Sequence, residues 1–140
     1  MIFFLAFLIS LLLCKISWED ITSRTIRNKW VVFLGILVLP FSLLAYGEIF
    51  VLPAVIVLLF GFLLFLINII GAGDVKLLAV LMLATPTEQI PALLFLISLF
   101  GLGLIIVGLL FFRQSIRQHG LPYGVAISLG FIANILLFIN

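Results

Sequence analysis

The sequence predicts an all-α protein, a membrane-embedded helical bundle of six transmembrane helices with no soluble domain. Hydrophobic residues make up 66% of its 140 residues and charged residues only 9%, a composition that excludes an ordinary soluble protein. The charges are clustered, and the stretches between clusters approach the roughly 20 apolar residues that cross a bilayer. Backbone polar groups must be satisfied inside lipid, and the sequence lacks the alternation typical of barrel strands. The apolar stretches are therefore predicted to be helices.

Six apolar segments follow one another with short connections, and they predict one domain over residues 1–140. The segments cover residues 2–13, 30–46, 49–70, 75–84, 90–112 and 121–139. The first is short, and we expect its helix to continue through Cys14 to Trp18. The fourth is too short to cross a hydrocarbon core about 30 Å thick without its flanking residues. This requirement draws Asp74 and Lys76 towards the membrane interior.

The basic residues predict how the chain is oriented in the membrane. All seven lie in alternate connections: Lys15, Arg24, Arg27 and Lys29 after the first helix, Lys76 in the third connection, and Arg113 and Arg117 in the fifth. The other connections contain Glu48 and Glu88 and no basic residue. The positive-inside rule therefore puts the first, third and fifth connections in the cytoplasm and both termini outside. So small a net charge does not indicate a nucleic-acid partner.

Two carboxylates suggest the chemistry. Asp20 and Asp74 are the only aspartates, and each lies at the predicted cytoplasmic end of a helix. Two carboxylates held close together do not both ionise easily, so one keeps a proton. The ionised member can then activate a water while the protonated member polarises a carbonyl. This aspartic protease chemistry needs no metal and no cofactor, and a single cysteine, Cys14, allows neither a disulfide nor a four-cysteine zinc site.

The residues alone leave structural alternatives open for both aspartates. Asp20 is also consistent with a solvated residue or a helix-capping residue. Asp74 is also consistent with an N-cap of the fourth helix, or with an ion pair to Lys76 or to an arginine of the first connection. Lys76 lies two residues after Asp74, so on a helix the two side chains point apart. The glycines at 71 and 73 allow another segment to approach closely.

Three motifs resemble those of a known family. The segment 71–76, GAGDVK, matches the GxGD signature of membrane aspartic proteases, and in the form GxGDxK it resembles the type IV prepilin peptidases. The stretch 20–28, DITSRTIRN, is similar to that family's first-aspartate motif D-x3-R-x-I-P-N, with Arg27 where the family usually has proline. The stretch 121–124, LPYG, resembles its third motif, a Pro-aromatic-Gly before an apolar helix. The matches occur in the family's order and cover most of the chain.

The resemblance implies a membrane aspartic endopeptidase that removes the basic N-terminal leader from prepilin-like substrates, using Asp20, Asp74 and water. It implies action at the cytoplasmic face of the bacterial cytoplasmic membrane, with the substrate and the lipid bilayer as partners and no cofactor. Supporting positions are Gly71, Gly73, Lys76, Arg24, Asn28, Pro122, Tyr123 and Gly124. The chain resembles the short Tad (Flp pilus) form or the archaeal preflagellin peptidases, because the N-terminal extension and paired cysteines of the long enzymes are missing. N-methylation of the product is therefore not expected.

Several roles have a structural alternative. Lys76 could place its positive charge near the aspartates or the substrate. Equally, its side chain could snorkel to the membrane interface. Arg24 fits a residue that orients Asp20 or a positive-inside anchor, and Tyr123 fits a brace or an interfacial belt residue. At the level of function, the alternative is a non-catalytic scaffold or assembly subunit of a pilus or secretion apparatus, in which GAGD is a packing turn. A transporter is disfavoured, because both acids lie at one face without a relay of ionisable groups.

Overall fold

The protein is all-helical. A computed structural model describes residues 1–139, and across this range it contains seven α-helices, a short 3-10 helix and no strand. The α-helices are α1 (Ile2–Ser23), α2 (Asn28–Tyr46), α3 (Val51–Leu66), α4 (Ala72–Met82), α5 (Ile90–Phe111), α6 (Arg113–His119) and α7 (Tyr123–Phe138), and the 3-10 helix, Thr87–Gln89, precedes α5. The predicted all-α class is confirmed.

Each predicted apolar segment corresponds to one of the six longer helices, although their ends differ from the prediction. α1 continues to Ser23 and ends at Arg24, which adopts the left-handed conformation and donates its N–H to the Asp20 carbonyl. Lys15 and Asp20 therefore both lie within α1, which continues beyond the predicted end at Trp18. The apolar run underestimates the helix because polar residues continue it where the chain leaves the hydrocarbon. Lys15 forms an ion pair with Glu19 one turn later, at 3.8 Å.

The third and fourth helices are short. α3 ends at Leu66 rather than near residue 70, and Asn68 follows it with a φ of 59°, a conformation that asparagine adopts more readily than most residues. α4 begins at Ala72 and contains 11 residues. The GAGD segment therefore spans the start of α4, with Asp74 in its first turn.

Length and composition support fewer crossings than the six predicted. Three stretches are long and apolar enough to cross a membrane: Ile2–Ser23, Asn28–Tyr46 and Thr87–Phe111. A fourth is added if α6 and α7, which meet at 104°, form one bent span. The protein is a helical membrane protein on this evidence, while the count of six crossings stays a prediction.

The six longer helices alternate in direction, so their ends form two opposite sides of the bundle. On one side, the C-terminal end of α1 lies beside the start of α4 and the start of α7. On the other side, the Phe50 N–H donates to the Leu83 carbonyl at 3.0 Å and joins the start of α3 to the end of α4. The hydroxyl of Ser42, near the end of α2, contacts the Glu48 and Leu83 carbonyls there. We call these the aspartate end and the opposite end.

α4 lies in the interior of the bundle. It packs against α2, α3 and α7, and its side chains Leu77, Leu81 and Met82 are completely buried. Phe41 of α2 and Phe131 of α7 are the largest fully buried side chains of the same core. Because neighbouring helices surround α4, its position is fixed by packing, and this packing fixes the position of Asp74.

Candidate active site

Asp20 and Asp74 line the same cavity, which has a volume of about 240 Å³. Its other walls come from the connection after α1 and from the GAGD segment: Arg24, Thr25, Ile26, Gly71, Ala72 and Gly73. Both aspartates therefore border the same space. We call this space the aspartate cavity. Residues 54 positions apart in the sequence thus meet at one end of the bundle.

Asp20 is held by the third sequence motif. Its side chain is only 6% exposed, and the backbone N–H of Gly124 donates to its Oδ2 at 2.8 Å. A Cβ at position 124 would lie 2.8 Å from the same oxygen, closer than such atoms approach in proteins. The start of α7 can therefore reach Asp20 only because residue 124 has no side chain. Asp20 is buried and hydrogen-bonded, so its interpretation as a solvated residue is wrong.

Asp74 occupies the third position of α4 and is half-buried. Gly71 is the N-cap of this helix and no side chain bonds the cap, so the interpretation of Asp74 as an N-cap is wrong. The salt bridge found within residues 1–139 joins Lys15 to Glu19, and none involves Asp74. The Lys76 Nζ instead donates to the Asn28 Oδ1 at 3.1 Å. The ion-pair interpretation of Asp74 is therefore also wrong.

Ile26 packs between the two glycine motifs. A Cβ at Gly73 would lie 3.0 Å from the Ile26 Cβ, and a Cβ at Gly124 would lie 3.0 Å from the Ile26 Cδ1. Ile26 therefore sets the separation between the start of α4 and the start of α7. The sequence alone predicts no role for Ile26, although this residue lies inside the first-aspartate motif.

Arg24 is partly buried beside the aspartates. Its backbone is left-handed, with φ 55° and ψ 25°, which directs the chain from α1 back across the bundle. Its Nη2 donates to the Ser115 Oγ of α6 at 3.3 Å, while its buried Nη1 has no partner among the described residues. A residue that served only as an interfacial anchor would keep its guanidinium in water, so Arg24 is more than an anchor.

The remaining predicted site residues lie around the aspartate cavity without lining it. Lys76 is exposed and links α4 to Asn28 at the start of α2. Pro122 is the residue before α7. The Tyr123 hydroxyl lies over Gly101 of α5, where a Cβ would be 2.9 Å from the oxygen. Tyr123 thus packs α7 against α5, and among residues 1–139 its hydroxyl bonds neither aspartate.

Glu19 is a further residue at the aspartate end, and its role is not predicted by the sequence. Its Oε1 accepts a hydrogen bond from the Trp30 Nε1 at 3.0 Å, and Lys15 and Lys29 place their ammonium groups over the Trp30 ring, 5.7 and 4.8 Å from its centre. These contacts hold the start of α2 against α1, next to Asp20. In the sequence Glu19 is marked only by its position before Asp20, and this position does not predict that Trp30 is its partner.

Comparison with known protein families gives a match. The family model described as the type IV leader peptidase family matches residues 4–106, which is more than half of the chain and includes both aspartates and the GAGD segment. The third motif, at residues 121–124, lies outside the matched range. No curated protein and no solved structure gives a match. The extent of the family match identifies the chain as a member of the type IV leader peptidase family.

Proposed function

We propose that this family member is an aspartic endopeptidase that cleaves the basic leader from prepilin-like membrane proteins at the cytoplasmic face of the membrane. Membership of the family indicates a leader peptidase acting on prepilin-like substrates. The aspartic mechanism and the membrane face are our proposal. The observation that carries it is that Asp20 and Asp74, the only aspartates of the chain, line one cavity.

In this mechanism Asp20 is the base and Asp74 holds the proton that the pair shares. The Gly124 N–H bonds Asp20, and a hydrogen bond to a carboxylate favours its charged form. No donor among residues 1–139 bonds the Asp74 carboxyl, which leaves it free to point its proton at a substrate. The difference between the two environments assigns the two roles.

The reaction needs one water. Asp20 removes a proton from the water as its oxygen bonds to the scissile carbonyl carbon, and Asp74 gives its proton to the carbonyl oxygen, so a neutral gem-diol forms. Asp74, now ionised, takes a proton from one hydroxyl while Asp20 delivers its own proton to the peptide nitrogen. The C–N bond then breaks, the leader leaves as a carboxylic acid and the pilin leaves as a free amine. Both aspartates return to their starting states.

The charges at the aspartate end support the proposed face. This end carries the basic residues of the first, third and fifth connections, and the opposite end carries Glu48 and Glu88. A prepilin leader is a short basic segment that stays in the cytoplasm while the following apolar helix lies in the bilayer. The bond between them therefore arrives at the end of the bundle that the positive-inside rule assigns to the cytoplasm.

The test is processing of a co-expressed substrate with a basic leader, a glycine and about 20 apolar residues. We expect Asp20→Asn and Asp74→Asn each to slow leader removal by about 10²-fold or more, because neither amide can exchange the proton that the mechanism moves. Glu88→Gln, an exposed carboxylate change at the opposite end, is the matched control and should process normally. Membrane accumulation and thermal unfolding in detergent establish that each variant is folded.

Leader removal at the normal rate by Asp74→Asn would contradict the mechanism. If Asp20→Asn is nearly silent while the folded protein is still needed to assemble a pilus or secretion apparatus, the non-catalytic scaffold is the better interpretation.

A further inference from the structure

Arg24 has a backbone conformation that is unfavourable for an arginine. It is the residue that ends α1, with φ 55° and ψ 25°, and glycine is the usual residue in this left-handed conformation at a helix end. Other residues adopt the conformation at an energetic cost, and residues held in this way cluster at functional sites. The chain thus has an arginine where a glycine would fit more easily. This indicates that the arginine side chain is needed here.

The guanidinium of Arg24 is anchored through one of its two terminal nitrogens. Nη2 donates a hydrogen bond to the Ser115 Oγ of α6 at 3.3 Å. The next residue of α6, Ile116, packs directly onto Gly108 of α5, where there is no room for a side chain. Because α6 is held against α5 in this way, the hydroxyl that anchors Arg24 is itself fixed. The guanidinium is a rigid planar group, so fixing one nitrogen restricts the position of the other.

The other terminal nitrogen of Arg24, Nη1, is buried and has no hydrogen-bond partner among the described residues. A buried N–H group without an acceptor is costly, and in a folded protein it calls for an explanation. Arg24 lines the aspartate cavity together with Asp20 and Asp74, but no salt bridge of its guanidinium is found within residues 1–139. A ligand that enters the aspartate cavity can therefore provide the missing acceptor.

We propose that Arg24 is a third catalytic residue, whose Nη1 donates a hydrogen bond to the oxygen of the cleaved carbonyl, an inference that rests on the proposed function. A carbonyl oxygen has two lone pairs. In the proposed reaction one lone pair takes the proton of Asp74, and the other accepts the hydrogen bond from Arg24. A fixed donor at an oxygen where negative charge develops lowers the barrier, most strongly where water is excluded. Arg24 thus stabilises the transition state without entering the proton exchange between the aspartates and water.

The charges and contacts of the other groups favour this acceptor. The side chains of the leader are basic, so a guanidinium repels them. Within the protein, Asp20 already accepts the hydrogen bond from the Gly124 N–H. The cleaved carbonyl is the substrate group that must enter the aspartate cavity, because both carboxylates act on it. Arg24 lines that same cavity, so its free N–H group and the carbonyl oxygen become neighbours when the substrate binds.

The experiment measures kcat and KM of the full chain in detergent with a purified prepilin-like substrate. Arg24→Lys keeps the positive charge but loses the planar pair of donors. We expect kcat to fall by about 10²-fold with little change in KM, because the lost hydrogen bond strengthens in the transition state. Ser115→Ala removes the anchor but keeps Nη1, and should lower kcat by at most about 10-fold, the usual effect of one hydrogen bond. Arg117→Gln, which changes an exposed charge of α6, is the matched control and should leave kcat unchanged.

Two results would overturn the inference and, with Asp74→Asn inactive, leave the proposed function intact. Arg24→Lys that cleaves at the wild-type rate would make Arg24 only a positive charge, and Ser115→Ala that loses as much kcat as Arg24→Lys would make Arg24 only a link to α6. If Arg24→Lys does not accumulate in the membrane, Arg24→Ala is assayed with added guanidinium ion. Cleavage should then rise with guanidinium and not with urea, and the absence of any rise would equally overturn the inference. A wild type that cleaves no prepilin-like protein would refute the proposed function and this inference with it.

Discussion

Gly124 serves Asp20 both through its backbone N–H and through its missing side chain. The N–H donates to the Asp20 Oδ2 at 2.8 Å, and the space that a methyl group would occupy already contains that oxygen and the Ile26 Cδ1. Because Ile26 also packs against Gly73, a displacement at residue 124 reaches the segment that holds Asp74. One small residue thus controls how the two carboxylates lie relative to each other.

We therefore expect Gly124→Ala to reduce kcat/KM for leader cleavage on the order of 10- to 100-fold, a usual effect of displacing a reacting group by about 1 Å. The added methyl group enters a buried contact and should also destabilise the protein by about 1–3 kcal/mol, so thermal unfolding in detergent must establish that the variant is folded. Gly103→Ala is the matched control, since a Cβ there meets nothing within 4 Å. Equal cleavage rates for the two variants would show that Gly124 does not position Asp20.

For individual residues, the sequence motifs predicted membership of the site well, but they predicted the contacts of each residue poorly. Asp20, Asp74 and Gly124 were predicted from sequence and lie together in the structure. The contact of Arg24 with Ser115, 91 residues away, was not predictable, because Ser115 belongs to no motif. Tyr123 was predicted as a brace or belt residue, but it packs on Gly101 of α5. A motif identifies residues, whereas their partners depend on how distant helices pack.

Among the elements, α4 depends most on its neighbours. It is only 11 residues long, about 17 Å at the usual helical rise, and isolated helices of this length are marginal. α3 stabilises it by close contact: a Cβ at Gly61 would lie 2.7 Å from the Val75 Cγ1. Val75 follows Asp74 directly, so the contact between these two helices also determines the position of the acid.

Gly61→Ala should destabilise the protein by about 1–3 kcal/mol, the usual cost of adding volume to a well-packed contact. It should also slow leader cleavage, because α4 must shift away from α3. The second change Val75→Ala removes the atoms that collide with the new methyl group, so the double variant should recover most of the loss. Thermal unfolding in detergent and the cleavage rate measure the two effects. A double variant that is less stable than either single variant would contradict this account.

The apolar pattern predicted six helices and missed α6. The segment Arg113–His119, RQSIRQH, contains one apolar residue in seven, so by composition it was a charged connection. Its helix forms where Ile116 packs on Gly108 and Arg24 bonds Ser115, and both contacts are tertiary. The ends of α1 and α3 were misplaced for a related reason, since hydropathy reports contact with lipid and not the hydrogen bonding that defines a helix.

Considered as a whole molecule, the bundle separates its charges between its two ends. The aspartates and the basic residues lie at one end, and Glu48, Glu88 and the residues around Tyr46 line a polar cavity at the other. Large apolar side chains such as Phe60, Leu110 and Phe111 are exposed on the outside between these ends. This distribution suits a lipid environment and a single functional face. It also makes the predicted topology testable in detail.

The critical position for the topology is the turn between α3 and α4. If both helices cross, this turn lies at the aspartate end in the cytoplasm; if they form a re-entrant hairpin, it lies within the bilayer. In a Cys14→Ser background, Ile69→Cys, at an exposed residue of this turn, should react with a membrane-impermeant maleimide only after the cells are permeabilised. Thr87→Cys, exposed at the opposite end, is the control and should react in intact cells.

An Ile69→Cys that stays unreactive in permeabilised cells, while Ser23→Cys at the exposed end of α1 reacts, would reduce the number of crossings below six. Ile69→Cys that reacts in intact cells would place the aspartate end outside, where a cytoplasmic leader could not reach it.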